Sequence, residues 1–146
     1  MSRLRLLVEA ETRLWRRVEQ ELRQAGLPRL AWLEALSVIT GRDDVRLNDV
    51  AVELAITPGG ATKLVDAVER GGMVTRHPHP TDRRVTILAA TASGRDALAR
   101  GRTVVDDCVD ALWPQHDLVA PLRQLTENLR AAEAGAMLPA EETAAR

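Results

Sequence analysis

Apolar residues recur along most of this chain at the three- and four-residue spacing of an amphipathic helix. The first such stretch covers residues 4–22 and meets Gly26-Leu27-Pro28, a combination that ends helices. A second helix is predicted over residues 30–40, and the polar turn 41–44 follows it. We therefore expect two helices here, each with one apolar side.

Two shorter helices are predicted over residues 48–72. Asn48 is the expected cap of the first, with Asp49 in the first turn, where the helix dipole favours an acid. Thr57 can cap the second, and Pro58 then takes the first helical position, where a missing N–H is harmless. The predicted inward positions of both helices are Val50, Ala51, Leu54, Ile56, Ala61, Leu64, Val65 and Val68.

The outer face of the fourth helix is small, polar and basic. It carries Gly59, Thr62, Lys63, Asp66 and Arg70. The pair Gly71-Gly72 supplies the positive φ that commonly ends a helix. Two short helices in tight succession, the second with a face of this kind, describe a helix-turn-helix.

A β-hairpin is predicted directly after the fourth helix. Residues 74–77 and 84–88 are short β-branched runs that flank the turn-rich segment 77–82. The tip of this hairpin contains Asp82, Arg83 and Arg84. A hairpin with a basic tip behind a helix-turn-helix is interpreted as a wing.

Two more helices are predicted after the hairpin. Thr91 is the expected cap of a long helix that breaks at Trp113-Pro114. Its predicted inward positions are Leu98, Val105, Val109 and Leu112. The last helix repeats leucine at alternating spacings of four and three, the pattern of a coiled-coil seam, at Leu118, Leu122, Leu125 and Leu129. The small and charged residues 135–146 are predicted to be a flexible tail.

Composition narrows the class of protein. Apolar residues make up 45% of the chain, which permits a folded core, but there is no Phe or Tyr. No apolar run approaches the roughly 18 residues of a membrane span, and the N-terminal residues do not resemble a signal peptide. The single cysteine, Cys108, cannot form an intrachain disulfide. We therefore expect a cytoplasmic protein with no membrane partner.

Charge is distributed unevenly although the chain as a whole has a net charge of −1. Residues 57–95 have a net charge of +3, whereas residues 96–146 have a net charge of −4. A basic middle segment that contains the helix-turn-helix and the wing indicates one surface that faces an anion. Double-stranded DNA is the anion that such a motif binds.

These elements predict a mainly α (α+β) fold, a winged helix-turn-helix with N- and C-terminal dimerisation helices. The predicted organisation is a dimerisation helix (1–28), a DNA-binding lobe (29–90, with the helix-turn-helix at about 48–72 and the wing at about 73–89), C-terminal dimerisation helices (91–134) and the tail. The expected dimer contacts are Leu4, Leu7, Leu118, Leu122, Leu125 and Leu129.

The order of elements resembles the MarR family of bacterial regulators over nearly the whole chain. The resemblance rests on Ile56-Thr57, residues 62–66, residues 69–76, Asp82-Arg83-Arg84 and Thr91-Ala-Ser-Gly94. The last two are similar to the family's wing signature Asp-x-Arg-x5-Leu-Thr-x-x-Gly. Ala90 departs from it, because it stands where the family has Leu, and we expect thinner packing under the second strand of the wing.

The resemblance implies a homodimeric repressor that binds a palindromic operator and is released by a small, often aromatic or anionic, ligand. It implies no cofactor. A ligand cleft is expected between the dimerisation helices and the DNA-binding lobe, and Arg13, Trp15 and Arg16 are the candidates for contacts to a ring and an anion.

The predicted DNA contacts follow from how DNA is recognised. The helix start at Pro58-Gly-Gly lacks bulk, so its backbone can approach phosphate, and side chains one turn later can reach base edges. An Arg at the wing suits a narrow minor groove, and an acid two residues before it suits a brace for that Arg. The predicted contact residues are Thr57, Gly59, Gly60, Thr62, Lys63, Arg70, Arg76, Asp82, Arg83 and Arg84.

Several simpler interpretations stay open. The basic residues of the wing can form an ordinary solvated cluster, and Asp66 with Arg70 can form an i, i+4 ion pair in place of a DNA contact. His77 and His79 are expected on one strand face, but two ligands make a poor metal site, and none is predicted. Cys108 suits a buried apolar position or a redox sensor. The three Trp residues suit core or interface positions better than ligand stacking.

Enzyme motifs are missing from the sequence. There is no G-x-S-x-G, H-E-x-x-H or CxxC pattern, and Gly59-Gly60 lacks the spacing of a phosphate loop. We expect no catalytic activity. The second interpretation is a winged-helix protein-interaction module without DNA binding.

Overall fold

The computed structural model of the protein describes residues 2–114 and 119–136. These residues form helices and one two-stranded sheet in the order α1 (Arg3–Gln24), α2 (Leu30–Thr40), α3 (Leu47–Glu53), α4 (Pro58–Arg70), β1 (Val74–Pro78), β2 (Thr86–Ala90), α5 (Ala92–Leu112) and α6 (Val119–Ala136). The chain divides into one compact unit that ends at Leu112 and a second that contains α6. The predicted order of elements is confirmed.

The local signals in the sequence set most helix ends. Gly26 has a φ of +66° directly after α1, and α2 covers the predicted residues 30–40. Thr57 caps α4, since its hydroxyl oxygen accepts the Gly60 N–H at 3.1 Å, and Pro58 is the first helical residue. Gly72 has a φ of +74° after α4.

The start of α3 differs from the prediction. Asn48 is not the cap, because the helix begins at Leu47 and Arg46 occupies the cap position. The carboxylate of Asp49 reaches back and accepts the Arg46 N–H at 2.7 Å, so the acid supplies the capping hydrogen bond itself. Ile56 was expected to face inward, but it is 36% exposed, since Ala55 adopts a left-handed φ of +51° and turns the chain between α3 and α4.

A single hydrophobic core joins α1 through α5. Its fully enclosed side chains come from α1, α2, the segment before α3, α3, α4 and β1, and the largest are Leu22, Leu36, Val18, Val45, Val50, Val65, Val68 and Val74. Cys108 of α5 is buried at the edge of this core, as the apolar interpretation predicts. Trp32 packs against the core, and a methyl group at Gly71 would lie 2.6 Å from its ring.

The sheet is an antiparallel hairpin in which Val74 pairs with Ala90 and Pro78 with Thr86. Its second strand begins at Thr86, two residues later than predicted, because residues 82–85 form a turn closed by the Val85 N–H and the Asp82 carbonyl at 2.9 Å. The Leu88 N–H donates to the Val45 carbonyl at 2.7 Å, which ties the hairpin to the segment before α3.

The last two helices keep much of their apolar surface exposed. In α5 Leu98 is buried, but Leu112 was predicted to face inward and is 57% exposed, because it is the last residue of the helix. In α6 the predicted seam is exposed at Leu122, Leu125 and Leu129. Leu118 and the tail beyond Ala136 lie outside the described residues. None of the described helices is long and apolar enough to cross a membrane.

Candidate nucleic-acid interface

The N-terminus of α4 is open. A methyl group placed at Gly59 would meet no atom within 4 Å, and one placed at Gly60 would meet only Thr57 and Ile56, which directly precede the helix. The Thr57 side chain caps the start of the helix. Pro58 has no backbone N–H, so the first helical position needs no hydrogen-bond partner. The backbone of this turn is therefore accessible to a phosphate or a base edge.

The two faces of α4 separate as predicted. Ala61, Val65 and Val68 are fully buried, and Thr62 and Lys63 are exposed on the opposite side. The Thr62 hydroxyl donates to the Pro58 carbonyl at 2.9 Å, which leaves its oxygen lone pairs and its methyl group directed outward. Because the Thr62 hydroxyl already donates to Pro58, its oxygen can accept a hydrogen bond from the amino group of a base, and its methyl group can contact the methyl group of thymine.

Arg70 does not pair with Asp66 through its carboxylate. Its Nε donates to the Asp66 carbonyl at 3.3 Å, within α4, and the rest of the side chain is exposed. The i, i+4 ion pair that was left open as an alternative is therefore not formed, and the Asp66 carboxylate is bound to Arg76 of β1, with 2.6 Å between the Arg76 Nη2 and the Asp66 Oδ1. Arg70 stays exposed on the predicted outer face.

Arg76 lies between two carboxylates and not at the wing tip. Its Nη2 binds Asp66, and its Nη1 binds the Oε2 of Glu69, so both outer nitrogens of the guanidinium are engaged. Arg76 was among the predicted DNA contacts, and no contact was predicted for Glu69. The missed signal is the i, i+3 spacing of Asp66 and Glu69, which places both acids on one helix face.

The wing tip presents Arg84. Its side chain is 92% exposed, whereas that of Asp82 is 45% exposed. The Asp82 Oδ1 accepts both the Arg84 backbone N–H at 3.1 Å and the Arg84 Nε at 3.3 Å. The predicted brace is present, and it leaves the two terminal nitrogens of the guanidinium directed outward. Arg83 is exposed beside it.

The base of the wing is held by Thr91 and Gly94. The Thr91 hydroxyl donates to the Gly72 carbonyl at 2.8 Å and accepts the Gly94 N–H at 3.1 Å, so one side chain caps α5 and binds the end of α4. A methyl group at Gly94 would lie 2.2 Å from the Met73 carbonyl oxygen. Ala90 is half-buried against the core, and its carbonyl accepts Arg95 Nη1 at 2.5 Å. The base of the wing is thus tightly packed despite the small residue.

The two wing histidines have separate surroundings. The His77 Nε2 lies 2.8 Å from the Thr75 hydroxyl within β1. His79 lies beyond the end of β1, next to Thr81, with its Nε2 3.4 Å from a carboxylate oxygen of Asp44. The predicted shared strand face is wrong, because β1 ends at Pro78. Within residues 2–114 and 119–136, no three potential metal ligands of the His, Cys, Asp and Glu types cluster.

A cavity of about 350 Å³ lies between α1 and α5. It is lined by Arg17, Glu21, Val104, Asp107, Cys108, Ala111 and Leu112. None of the predicted ligand residues lines it: Arg13 pairs with Glu9, with 2.9 Å between the Nη2 and the Oε1, and Trp15 and Arg16 are exposed on α1. Arg17, the next residue, is the cation at the cavity.

A smaller cavity of about 170 Å³ lies between α2 and α5. The Arg102 Nη2 donates to the Ser37 hydroxyl there at 3.0 Å. Partial burial raises the pKa of the Glu34 carboxyl on its wall, and the nearby charge of Arg102 opposes that rise. Both cavities therefore combine apolar walls with one arginine and two carboxylates.

The sequence model of the MarR family matches residues 25–85, which contain the helix-turn-helix, β1 and the turn that follows it. Over these residues, which are less than half of the chain, the sequence is similar to the MarR family. A curated relative, the uncharacterized HTH-type transcriptional regulator YdgJ of Bacillus subtilis (strain 168), is 29% identical over 66 residues. That match covers 45% of this chain and 40% of the relative.

Solved structures extend the likeness to nearly the whole chain. CouR from Rhodococcus jostii RHA1, bound to p-coumaroyl-CoA, is 25% identical with a TM-score of 0.73, and the match covers 94% of this chain and 93% of CouR. The S. aureus MepR–DNA complex is 19% identical with a TM-score of 0.73, covering 92% and 98%. The winged-helix fold that the sequence predicts is thus the MarR fold.

Proposed function

We propose that this protein is a MarR-family transcriptional regulator, which binds specific sequences in double-stranded DNA and acts as a homodimer. The observation that carries the proposal is the pairing of an open, Thr62- and Lys63-bearing face of α4 with a braced, outward-directed Arg84 on the wing. These two surfaces match the two grooves that a winged helix contacts. The neighbour MepR was solved in complex with DNA, which supports this assignment.

In this proposal α4 enters the major groove and the wing contacts the adjacent minor groove. Phosphate neutralisation by Lys63, Arg83 and Arg84 supplies most of the affinity, and it makes binding depend on salt. Sequence preference comes from Thr62 and from the backbone at Gly59 and Gly60, where close approach is open.

The proposed dimer rests on exposed apolar side chains at both terminal helices. Leu4 is 70% exposed and Leu7 is 46% exposed on α1, and Leu122, Leu125 and Leu129 of α6 are 47%, 40% and 56% exposed. Leucines at this spacing are typical of a helix face that packs against another helix. A second copy of the chain would cover these stripes and would present two α4 helices to the two halves of a palindromic operator.

We further propose that a small organic anion releases the repressor from DNA. The cavity between α1 and α5 supports this, because it combines apolar residues with Arg17, whose Nη2 pairs with Glu21 at 2.6 Å. Asp107 also lines this cavity, so an anionic ligand would have to place its negative charge at Arg17. The neighbour CouR binds p-coumaroyl-CoA, an aromatic and anionic compound. Such a ligand would compete with Glu21 for Arg17 and would change the packing of α1 against α5.

Binding-site selection from random duplex DNA with the full chain tests the function. The proposal predicts enrichment of a palindromic sequence and a logarithm of affinity that falls linearly with the logarithm of salt concentration. A protein-interaction module would enrich no sequence and would show no salt-dependent binding. The enriched operator then serves for release assays with aromatic carboxylates and their thioesters.

A further inference from the structure

The Arg76 bracket consists of Arg76 on β1 and the two carboxylates of Asp66 and Glu69 on α4. Arg76 lies on the same strand face as the buried Val74, so its side chain points back toward α4 and is 30% exposed. The acids, three residues apart on one helix face, take one outer guanidinium nitrogen each. The bracket therefore joins the proposed recognition helix to the first strand of the wing.

The two acids of the bracket stand in a place where DNA binding disfavours them. Asp66 and Glu69 lie on the helix that is proposed to approach DNA, and a carboxylate there repels phosphate. Their side chains are 46% and 35% exposed, so solvent screens this repulsion only in part. Two acids on a recognition helix therefore weaken DNA binding unless their contacts to Arg76 provide a compensating benefit.

We propose that Arg76 is a positioning residue, and that the Arg76 bracket fixes the wing relative to α4 so that Arg84 and Thr62 reach DNA together. This inference rests on the proposed function. The planar guanidinium suits the task, since it binds two carboxylates in fixed directions, which a lysine ammonium does not. Arg84 differs, because its brace holds only Nε and leaves the charge free for DNA.

The competing assignment is that Arg76 contacts phosphate directly. The two assignments predict opposite changes in operator affinity for the substitution Glu69→Gln. If Arg76 contacts phosphate, Glu69→Gln removes a repelling charge, frees the arginine and tightens DNA binding. If Arg76 positions the wing, Glu69→Gln breaks the bracket and weakens operator binding, although the protein has become less negative.

The experiment measures the affinity of full-length variants for the selected operator and for a scrambled duplex of equal length, at two salt concentrations. The variants are Glu69→Gln, Asp66→Asn, Arg76→Met, Arg76→Lys and the combination Arg76→Met with Glu69→Gln. Asp110→Asn, in the last turn of α5, is the matched control for loss of one negative charge. Thermal unfolding confirms that each variant folds.

Glu69→Gln and Arg76→Met are each expected to weaken operator binding by about tenfold per dimer, since two partly exposed brackets are lost. The combination is expected to lose no more than either single variant, because the bracket breaks only once. Asp66→Asn is expected to show a smaller loss, Arg76→Lys an intermediate one, and Asp110→Asn none. Binding of Glu69→Gln to the scrambled duplex is expected to be equal to or tighter than that of the wild type.

Equal or tighter operator binding by Glu69→Gln and Asp66→Asn would overturn the proposal. A loss in Arg76→Met alone, with a salt slope smaller by about one per subunit, would reassign Arg76 to phosphate. Absence of salt-dependent binding by the wild-type chain would remove the proposed function and this inference with it. The two failures are therefore distinguishable.

Discussion

The region from α2 through β2 and the two terminal helices use the same apolar residue types in different ways. In the first region the leucines and valines at helical spacing are buried, as Leu36, Val50 and Val65 show. In α6, and in the first half of α1, leucines at equally regular spacing are exposed. The apolar residues of the first region are buried within one chain, whereas the exposed leucines of the terminal helices match the surface of the proposed dimer.

This difference separates two kinds of substitution. A change inside the first region acts on folding or on DNA contacts of one subunit. A change on the exposed leucine stripes acts on assembly, and through assembly on operator binding, because each half of a palindrome needs its own subunit.

The largest effect is expected from a charge on the α6 stripe. Leu125→Glu in the full chain should convert the dimer to monomers, and operator affinity should fall by about a hundredfold or more, since two linked half-site contacts become independent. Light scattering and a gel shift measure the two effects. Ala131→Glu, on the opposite side of α6, is the matched control and should leave the dimer intact. A stable Leu125→Glu dimer would remove this stripe from the interface.

A smaller effect, confined to folding, is expected from an added methyl group at the base of the wing. Gly94→Ala should lower the free energy of unfolding by about 1–3 kcal/mol, because the methyl would overlap the Met73 backbone, which cannot move independently. Gly59→Ala is the control on α4, where space is open, and it should leave stability unchanged or raise it by up to about 1 kcal/mol.

Operator affinity is expected to change in Gly59→Ala even though the stability of that variant does not fall. Gly59→Ala is expected to bind the operator more weakly than the wild type despite its stability, since the methyl blocks the close approach of the backbone. Chemical denaturation and a binding titration on each variant measure the two quantities. Unchanged stability of Gly94→Ala would contradict the predicted steric overlap with Met73. Unchanged operator affinity of Gly59→Ala would contradict the predicted close approach of DNA to the α4 backbone.

The next effect concerns the wing tip. Arg84→Ala should weaken operator and nonspecific binding together, by about tenfold per dimer, because a phosphate or minor-groove contact carries little base information. Asp82→Ala should act in the same direction by about two- to threefold, through loss of the two hydrogen bonds that hold Arg84. Wild-type affinity in both variants, with an unchanged circular dichroism spectrum, would exclude the wing as a DNA contact.

Much of the fold could be predicted because its signals are local. The bounds of α2, the Thr57 cap, the Gly72 turn and the Thr91 cap follow from residue types within a few positions. The α3 cap was missed, because Asn48 is a better cap residue than Arg46 by type, and only the reach of Asp49 to the Arg46 N–H decides the boundary.

The features of the candidate site that the sequence did not predict come from contacts between elements. The residues near Arg76 and His79 in the sequence do not indicate their partners. Arg76 contacts Asp66 and Glu69 on α4, and His79 lies next to Asp44. Residue type placed Arg76 with Arg84 among the predicted DNA contacts, and only tertiary packing shows that the two arginines have different partners. The ligand residues were sought on the exposed part of α1, while the cavity is formed where α1 crosses α5.

The central claim is that α4 reads base sequence through its exposed face. Binding-site selection with the wild type, Thr62→Ala and Lys63→Ala, at two salt concentrations, tests it most directly. Thr62→Ala should flatten preference at one symmetric pair of operator positions, a loss of about 1–3 kcal/mol in discrimination, while nonspecific binding persists. Lys63→Ala should weaken binding to all sequences and reduce the salt slope by about one per subunit. Wild-type affinity and preference in both variants would show that α4 is not the reading helix.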